Sequence, residues 1–119
     1  MGEQRLFAFT ETLIFTEDLL DVAGDQTLFA IQNALLANPL LGDLIKGTSG
    51  ARKGRIGDPQ RGSGKSGGFR FIYVFLERCG RFYLLAIYSK KDKSDLTPKQ
   101  AAALGDLVRE IKRAYGEER

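Results

Sequence analysis

The sequence predicts one mixed domain of helices and strands, in the order strand, two helices, three strands, helix. Three observations predict it. Two apolar runs, Phe69 to Leu76 and Arg81 to Tyr88, flank the short break Glu77-Arg78-Cys79-Gly80 and read as paired strands. Leu28, Ile31, Leu35 and Leu36 recur at helical spacing until Asn38-Pro39 stops them. Ala101, Leu104, Val108 and Ile111 form one apolar stripe behind Pro98, a residue suited to a first helical turn. A chain of 119 residues is one domain's worth, residues 1–119, and can bury a core without disulfide or metal staples.

Taken in order, Arg5 to Thr10 forms the first strand. Thr10 or Thr16 caps a short helix that ends near Val22-Ala23-Gly24, and Asp25 caps the second helix. Ala51 to Ile56 is a short strand rich in cations, expected at the sheet edge. Residues 57–68 hold five glycines and a proline, a composition that makes a loop rather than a core. Along the next strand Arg70, Ile72, Val74 and Leu76 share one face, while Phe69, Phe71, Tyr73 and Phe75 share the other. Both faces are apolar, as in a central strand covered on both sides or one with an aromatic binding face. The last helix runs from Pro98 to about Tyr115.

Charge is unevenly spread. Residues 1–51 carry two basic and seven acidic side chains, residues 52–99 twelve and four, and residues 100–119 four of each. The net charges of −5, +8 and 0 concentrate positive potential around the central strands, as expected of a protein that binds a polyanion. Cys79 is the single cysteine, which excludes an intramolecular disulfide and fits a turn residue in a reducing compartment. There is no apolar segment of membrane-spanning length and no secretion signal, so a cytoplasmic location is expected, with no membrane contact. Histidine is absent, so chemistry falls to lysine, arginine, tyrosine, serine or carboxylates, and a zinc site has one thiolate plus carboxylates to draw on.

Three segments carry a resemblance. Asn38-Pro39-Leu40-Leu41-Gly42-Asp43-Leu44-Ile45-Lys46-Gly47-Thr48-Ser49-Gly50-Ala51-Arg52-Lys53, then Gly67-Gly68-Phe69-Arg70-Phe71-Ile72-Tyr73, then Phe82-Tyr83-Leu84-Leu85-Ala86-Ile87-Tyr88-Ser89-Lys90, look like the RelE superfamily of bacterial toxins, in its HigB-like branch. The match covers roughly residues 5–110. The resemblance implies an α+β fold in which a curved antiparallel sheet packs with two N-terminal helices and a C-terminal helix, in the order β-α-α-β-β-β-α. It also implies a cognate antitoxin and cleavage of mRNA on the translating ribosome, without metal or small-molecule cofactor. In that chemistry the ribose 2′-hydroxyl attacks the adjacent phosphate. The protein supplies a base, cations for the phosphorane, and an acid for the leaving 5′-oxygen. A lysine among other cations can serve as base or acid without histidine.

Carried over position by position, the resemblance places proton transfer and phosphate clamping on Lys53 and Arg55. Transition-state stabilisation falls on Arg70, whose planar fork suits two phosphate oxygens, and a further charge on Lys91 or its neighbour Lys90. Arg52, Arg61, Lys65, Lys90 and Lys93, with the rings of Tyr73 and Tyr88, are the expected RNA contacts. The tyrosine that relatives use before the last helix corresponds to Thr97 here, with Tyr88 or Tyr73 as substitutes. Plainer roles stand beside these: Arg70 can pair with Asp92 or Asp95, Lys53 and Arg55 can be solvated charges that guard a sheet edge, and Tyr73, Tyr83 and Tyr88 can be core or rim aromatics. Three functions follow: a ribosome-dependent endoribonuclease, a ParE-like poison of DNA gyrase on the same fold, and a non-catalytic nucleic-acid-binding module.

Overall fold

A computed structural model describes residues 6–58, 68–89 and 96–117. It is an α+β fold with the elements β1 (Ala8–Glu11), α1 (Leu13–Val22), α2 (Asp25–Ala37), β2 (Asp43–Leu44), β3 (Arg52–Ile56), β4 (Phe69–Leu76), β5 (Arg81–Ser89) and α3 (Pro98–Ala114). The strands form one five-stranded sheet of order β1-β5-β4-β3-β2. Strand β4 is central, and the β4–β5 hairpin is the longest pairing in the sheet.

Two features correct the expected architecture. Strand β1 runs parallel to β5, pairing Ala8 with Arg81 through Glu11 with Leu84, so the sheet is mixed rather than wholly antiparallel. Strand β3 is not the edge, because Asp43 and Leu44 of β2 pair with Lys53 and Arg52. Two exposed residues are too few to show a period, which hides β2 in the sequence.

The alternation along β4 sorts the core into two layers. Phe69, Phe71 and Tyr73 point to the side of α1 and α2, where Phe15, Leu19, Ile31 and Leu35 close over them with Phe82, Leu84 and Ile87 of β5. Ile72, Val74 and Leu76 point the other way and are covered by Val108 and Ile111 of α3, with Ala51 and Leu85. The strand is therefore covered on both sides, one of the two arrangements its composition allows.

Strand β5 reaches both layers through an irregularity. Ile72 pairs with Ala86 but Tyr73 pairs with Leu84, so Leu85 is an extra residue opposite β4. Leu85 and Ala86 consequently both belong to the α3 side, and the residues beyond them are shifted by one face. Ile87 joins the α1–α2 layer, and Tyr88 joins the α3 side.

The helix boundaries follow local chemistry. Thr12, rather than Thr10 or Thr16, caps α1: its hydroxyl accepts from the Phe15 N–H at 3.2 Å. Gly24 occupies the cap of α2, and Asp25, expected there, is the first helical residue, where its charge favours the positive end of the helix. Thr97 caps α3 in a reciprocal capping box with Gln100, immediately before Pro98.

Helix α3 is fastened at its far end. Lys112 Nζ donates to the Ser49 carbonyl at 2.6 Å, and Gly105 lies so close to the Gly47–Thr48 backbone that an added Cβ would stand 2.8 Å from the Gly47 oxygen. Beyond the helix, Glu117 accepts from the backbone N–H groups of Cys79 at 2.9 Å and Arg78 at 3.3 Å, in the turn between β4 and β5. Helix α3 thus finishes at the turn of the hairpin.

Partial burial pushes the Glu117 carboxyl up, but the Cys79 and Arg78 bonds outweigh it and hold the group below the usual carboxylate range. A lowered folded pKa makes the tether's contribution complete above the unfolded value and lost as pH falls through the folded one. The difference in thermal midpoint between the native chain and Glu117→Gln is expected to be constant above about pH 5.5 and to shrink in more acidic buffer; a constant difference down to pH 3 would show that the carboxylate is not the tether.

Gly54 faces Phe71 across the β3–β4 pair, and a Cβ there would fall 2.5 Å from the ring of that fully buried side chain. Gly54→Ala is expected to destabilise the fold by about 1–3 kcal/mol, measured by urea unfolding. An unchanged midpoint would mean that Phe71 has room to move.

Candidate nucleic-acid interface

Strand β3 directs Lys53 and Arg55 to the same face as Ala51, which lies against α3. Arg70 shares that face through its alternation with Ile72 and Val74. The register places Arg55 directly opposite Arg70, and Arg70 directly opposite Tyr88, so the three side chains form one row across β3, β4 and β5. Lys53 stands two residues along β3, about 7 Å from Arg55 along the strand. It pairs with Ile72 on one side and faces Asp43 of β2 on the other.

Like charges directly opposite in an antiparallel pair repel, and a row of two arginines destabilises an empty sheet. Arg55 is exposed, whereas Arg70 is half-buried. The Arg70 Nη1 atom is buried and has no hydrogen-bond partner among the described residues. A buried charged donor without an acceptor is costly, and it becomes favourable when a bound anion supplies the oxygen. Tyr88 brings its buried hydroxyl to the same row. It does so because of the extra residue at Leu85; regular alternation from Phe82 would turn it to the opposite side.

A shallow groove of about 290 Å³ opens beside this row, lined by Leu41, Gly42, Asp43, Lys53, Gly54 and Arg55. A larger cleft of about 480 Å³, near the turn between β4 and β5, differs in kind. Its cations are engaged internally: Arg78 with the Gly116 carbonyl, Arg109 with the Ser49 hydroxyl, and Lys112 with the Ser49 carbonyl.

Two of the expected RNA contacts have other work. Tyr73 is fully buried, and its hydroxyl donates to the Pro39 carbonyl at 2.9 Å and accepts from the Gly42 N–H at 3.4 Å. Burial raises its pKa, with the Gly42 N–H, Arg52 and Leu41 opposing in part. Arg52, opposite Tyr73 in the sheet, donates to the Gly42 carbonyl at 2.6 Å and the Leu40 carbonyl at 3.4 Å. The pair forms a latch on residues 39–42 and points away from the cationic row. Tyr73 therefore cannot stack on a base, and Arg52 spends its guanidinium on carbonyls.

Thr97, which the resemblance aligns with a tyrosine, is the α3 cap. Tyr83 bonds the Tyr115 hydroxyl at 3.0 Å near the far end of α3. Arg61, Lys65, Lys90, Lys91 and Lys93 lie outside the described residues, as do Asp92 and Asp95, the alternative partners of Arg70. The structure adds Asp43, whose place opposite Lys53 depends on the two-residue strand that the sequence conceals.

No known family model matches the chain. Its site is thus defined by its own geometry: two opposed arginines, a tyrosine in the same row and a lysine one step away. That set can hold a phosphate group and neutralise charge developing on it.

An anion that binds the row removes the repulsion and stabilises the fold. At ten times its dissociation constant, pyrophosphate is expected to add about 1.4 kcal/mol, or roughly 5 °C in thermal midpoint at constant ionic strength. Arg70→Gln is expected to lose most of that gain. An equal gain in both proteins would place the anion elsewhere.

Proposed function

We propose that the chain is the toxin of a bacterial type II toxin–antitoxin system, a HigB-like member of the RelE superfamily that cleaves mRNA on the translating ribosome in the cytoplasm. The observation that carries this reading is the opposition of Arg55 and Arg70, with a buried Arg70 nitrogen beside Tyr88 that has no partner among the described residues. The three-segment resemblance adds to it. Such a site is built for a phosphate inside a larger polyanion, whose binding releases counterions from a locally basic surface.

In the proposed reaction the RNA's own 2′-hydroxyl is the nucleophile. Its oxygen forms a bond to the adjacent phosphorus while the bond to the 5′-oxygen breaks, leaving a 2′,3′-cyclic phosphate and a 5′-hydroxyl end. Arg70 binds phosphate oxygens and stabilises the charge that grows on them, with Arg55 as the second clamp. Lys53 moves the proton, and Lys91 adds charge from the segment after β5. Tyr88 takes the place of the relatives' tyrosine beside the phosphate, since Thr97 is committed to capping α3. The proposed partners are the ribosome with its mRNA and a cognate antitoxin.

Expression of the chain is expected to stop growth and to produce new 5′-hydroxyl ends within translated frames. Arg70→Ala is expected to lower cleavage by about 10²–10³-fold while the protein stays folded. Growth arrest without new ends would favour poisoning of DNA gyrase. Continued growth with intact protein would favour a binding module without catalysis.

A further inference from the structure

Residues 6–45 contain six carboxylates and no lysine or arginine. Within this span α1 and α2 lie on the sheet face opposite the cationic row. Each helix buries one side and leaves large apolar side chains on the other, Ile14 of α1 among them. In α1, Phe15 and Leu19 are buried, and Leu13 and Leu20 are 74% and 73% exposed with Glu17 between them and Asp21 alongside. In α2, Thr27, Ile31 and Leu35 are buried, and Phe29 and Leu36 are 60% and 46% exposed on the face that also carries Asp25.

Both pairs are spaced seven residues apart, two helical turns, so each makes a continuous apolar stripe rather than scattered contacts. Large exposed apolar side chains framed by charge mark an interaction surface. The frame here is wholly acidic, which selects the occupant. RNA, DNA and anionic lipid are repelled. A second copy docking by two-fold symmetry would bring this acidic face against itself. A basic segment with apolar residues at helical spacing matches both features at once.

We propose that the outer face of α1 and α2 docks a lysine- or arginine-rich amphipathic helix from a protein partner. The anchors are Leu13, Leu20, Phe29 and Leu36, and Glu17, Asp21 and Asp25 supply the complementary charge. Because the sheet separates this face from Arg55 and Arg70, the partner and a nucleic acid can be held at the same time.

The probe is a fluorescent 18-residue amphipathic helix of leucine and lysine, compared with the same pattern in leucine and glutamate, each titrated into the full chain. The lysine peptide is expected to bind and to shift amide resonances of α1 and α2. Leu20→Ser with Phe29→Ser is expected to weaken it by about tenfold or more, the equivalent of 1.4 kcal/mol. Glu17→Lys with Asp21→Lys, which leaves the apolar residues in place, is expected to do the same and to remove the salt dependence. Equal binding of the glutamate peptide, or resonance shifts confined to other elements, would overturn the proposal. So would a dimer in sedimentation velocity that Phe29→Ser dissociates, which would make the face a self-interface. Co-sedimentation with phosphatidylcholine vesicles that the same change abolishes would instead make it a lipid contact.

Discussion

Strand β4 carries an apolar residue at nearly every position, and covering both of its faces at once is the constraint from which the fold follows. Phe71 and Tyr73 require one layer, Ile72 and Val74 require another, and all four are almost fully buried. At about 25 cal/mol per Å² of apolar surface, neither face of such a strand can be left in water. The N-terminal helices cover one and α3 the other. Helix α3 ends at the turn of the hairpin, and Arg55, Arg70 and Tyr88 align toward the opposite end of the sheet. The cationic row is positioned by the same packing that makes the core.

The price of that row is electrostatic. Two arginines opposite one another in a ladder contribute repulsion, and the half-buried Arg70 loses water without gaining an acceptor among the described residues. Arg52, Arg78 and Lys112, by contrast, are satisfied by backbone carbonyls. The contrast within one small protein is informative. A fold that pairs Arg52 and Lys112 with carbonyls gives the Arg70 Nη1 atom no acceptor among the described residues.

The sequence showed what depends on local periodicity. Helices α2 and α3, the apolar character of both faces of β4 and the Pro98 start of α3 were all legible, because each is written in the spacing of a few apolar residues or in one turn residue; whether helices or a ligand cover both faces of β4 was left open. What was not legible depends on register. The opposition of Arg55 and Arg70 is set by how β3 and β4 slide past one another, and the loop between them carries no apolar pattern to fix it. Tyr88 could not be placed, because a single extra residue at Leu85 reverses the alternation of β5. Arg52 looked like Lys53 and Arg55 on charge alone, yet its odd place in the alternation turns it to the Tyr73 side and onto the carbonyls of residues 40 and 42.

The N-terminal helices and the cationic row also differ in sign, and this bears on how a polyanion approaches. Residues 6–45, which supply α1 and α2, have carboxylates and no cation, while Lys53, Arg55 and Arg70 lie on the other face. A protein polarised in this way orients a charged partner before contact, because the field favours one encounter geometry and opposes the reverse. At physiological salt the Debye length is about 8 Å, so the bias acts over the last few molecular contacts rather than at long range. Over that distance the orientation matters most: the carboxylates of the N-terminal helices repel a polyanion, and Lys53, Arg55 and Arg70 attract one.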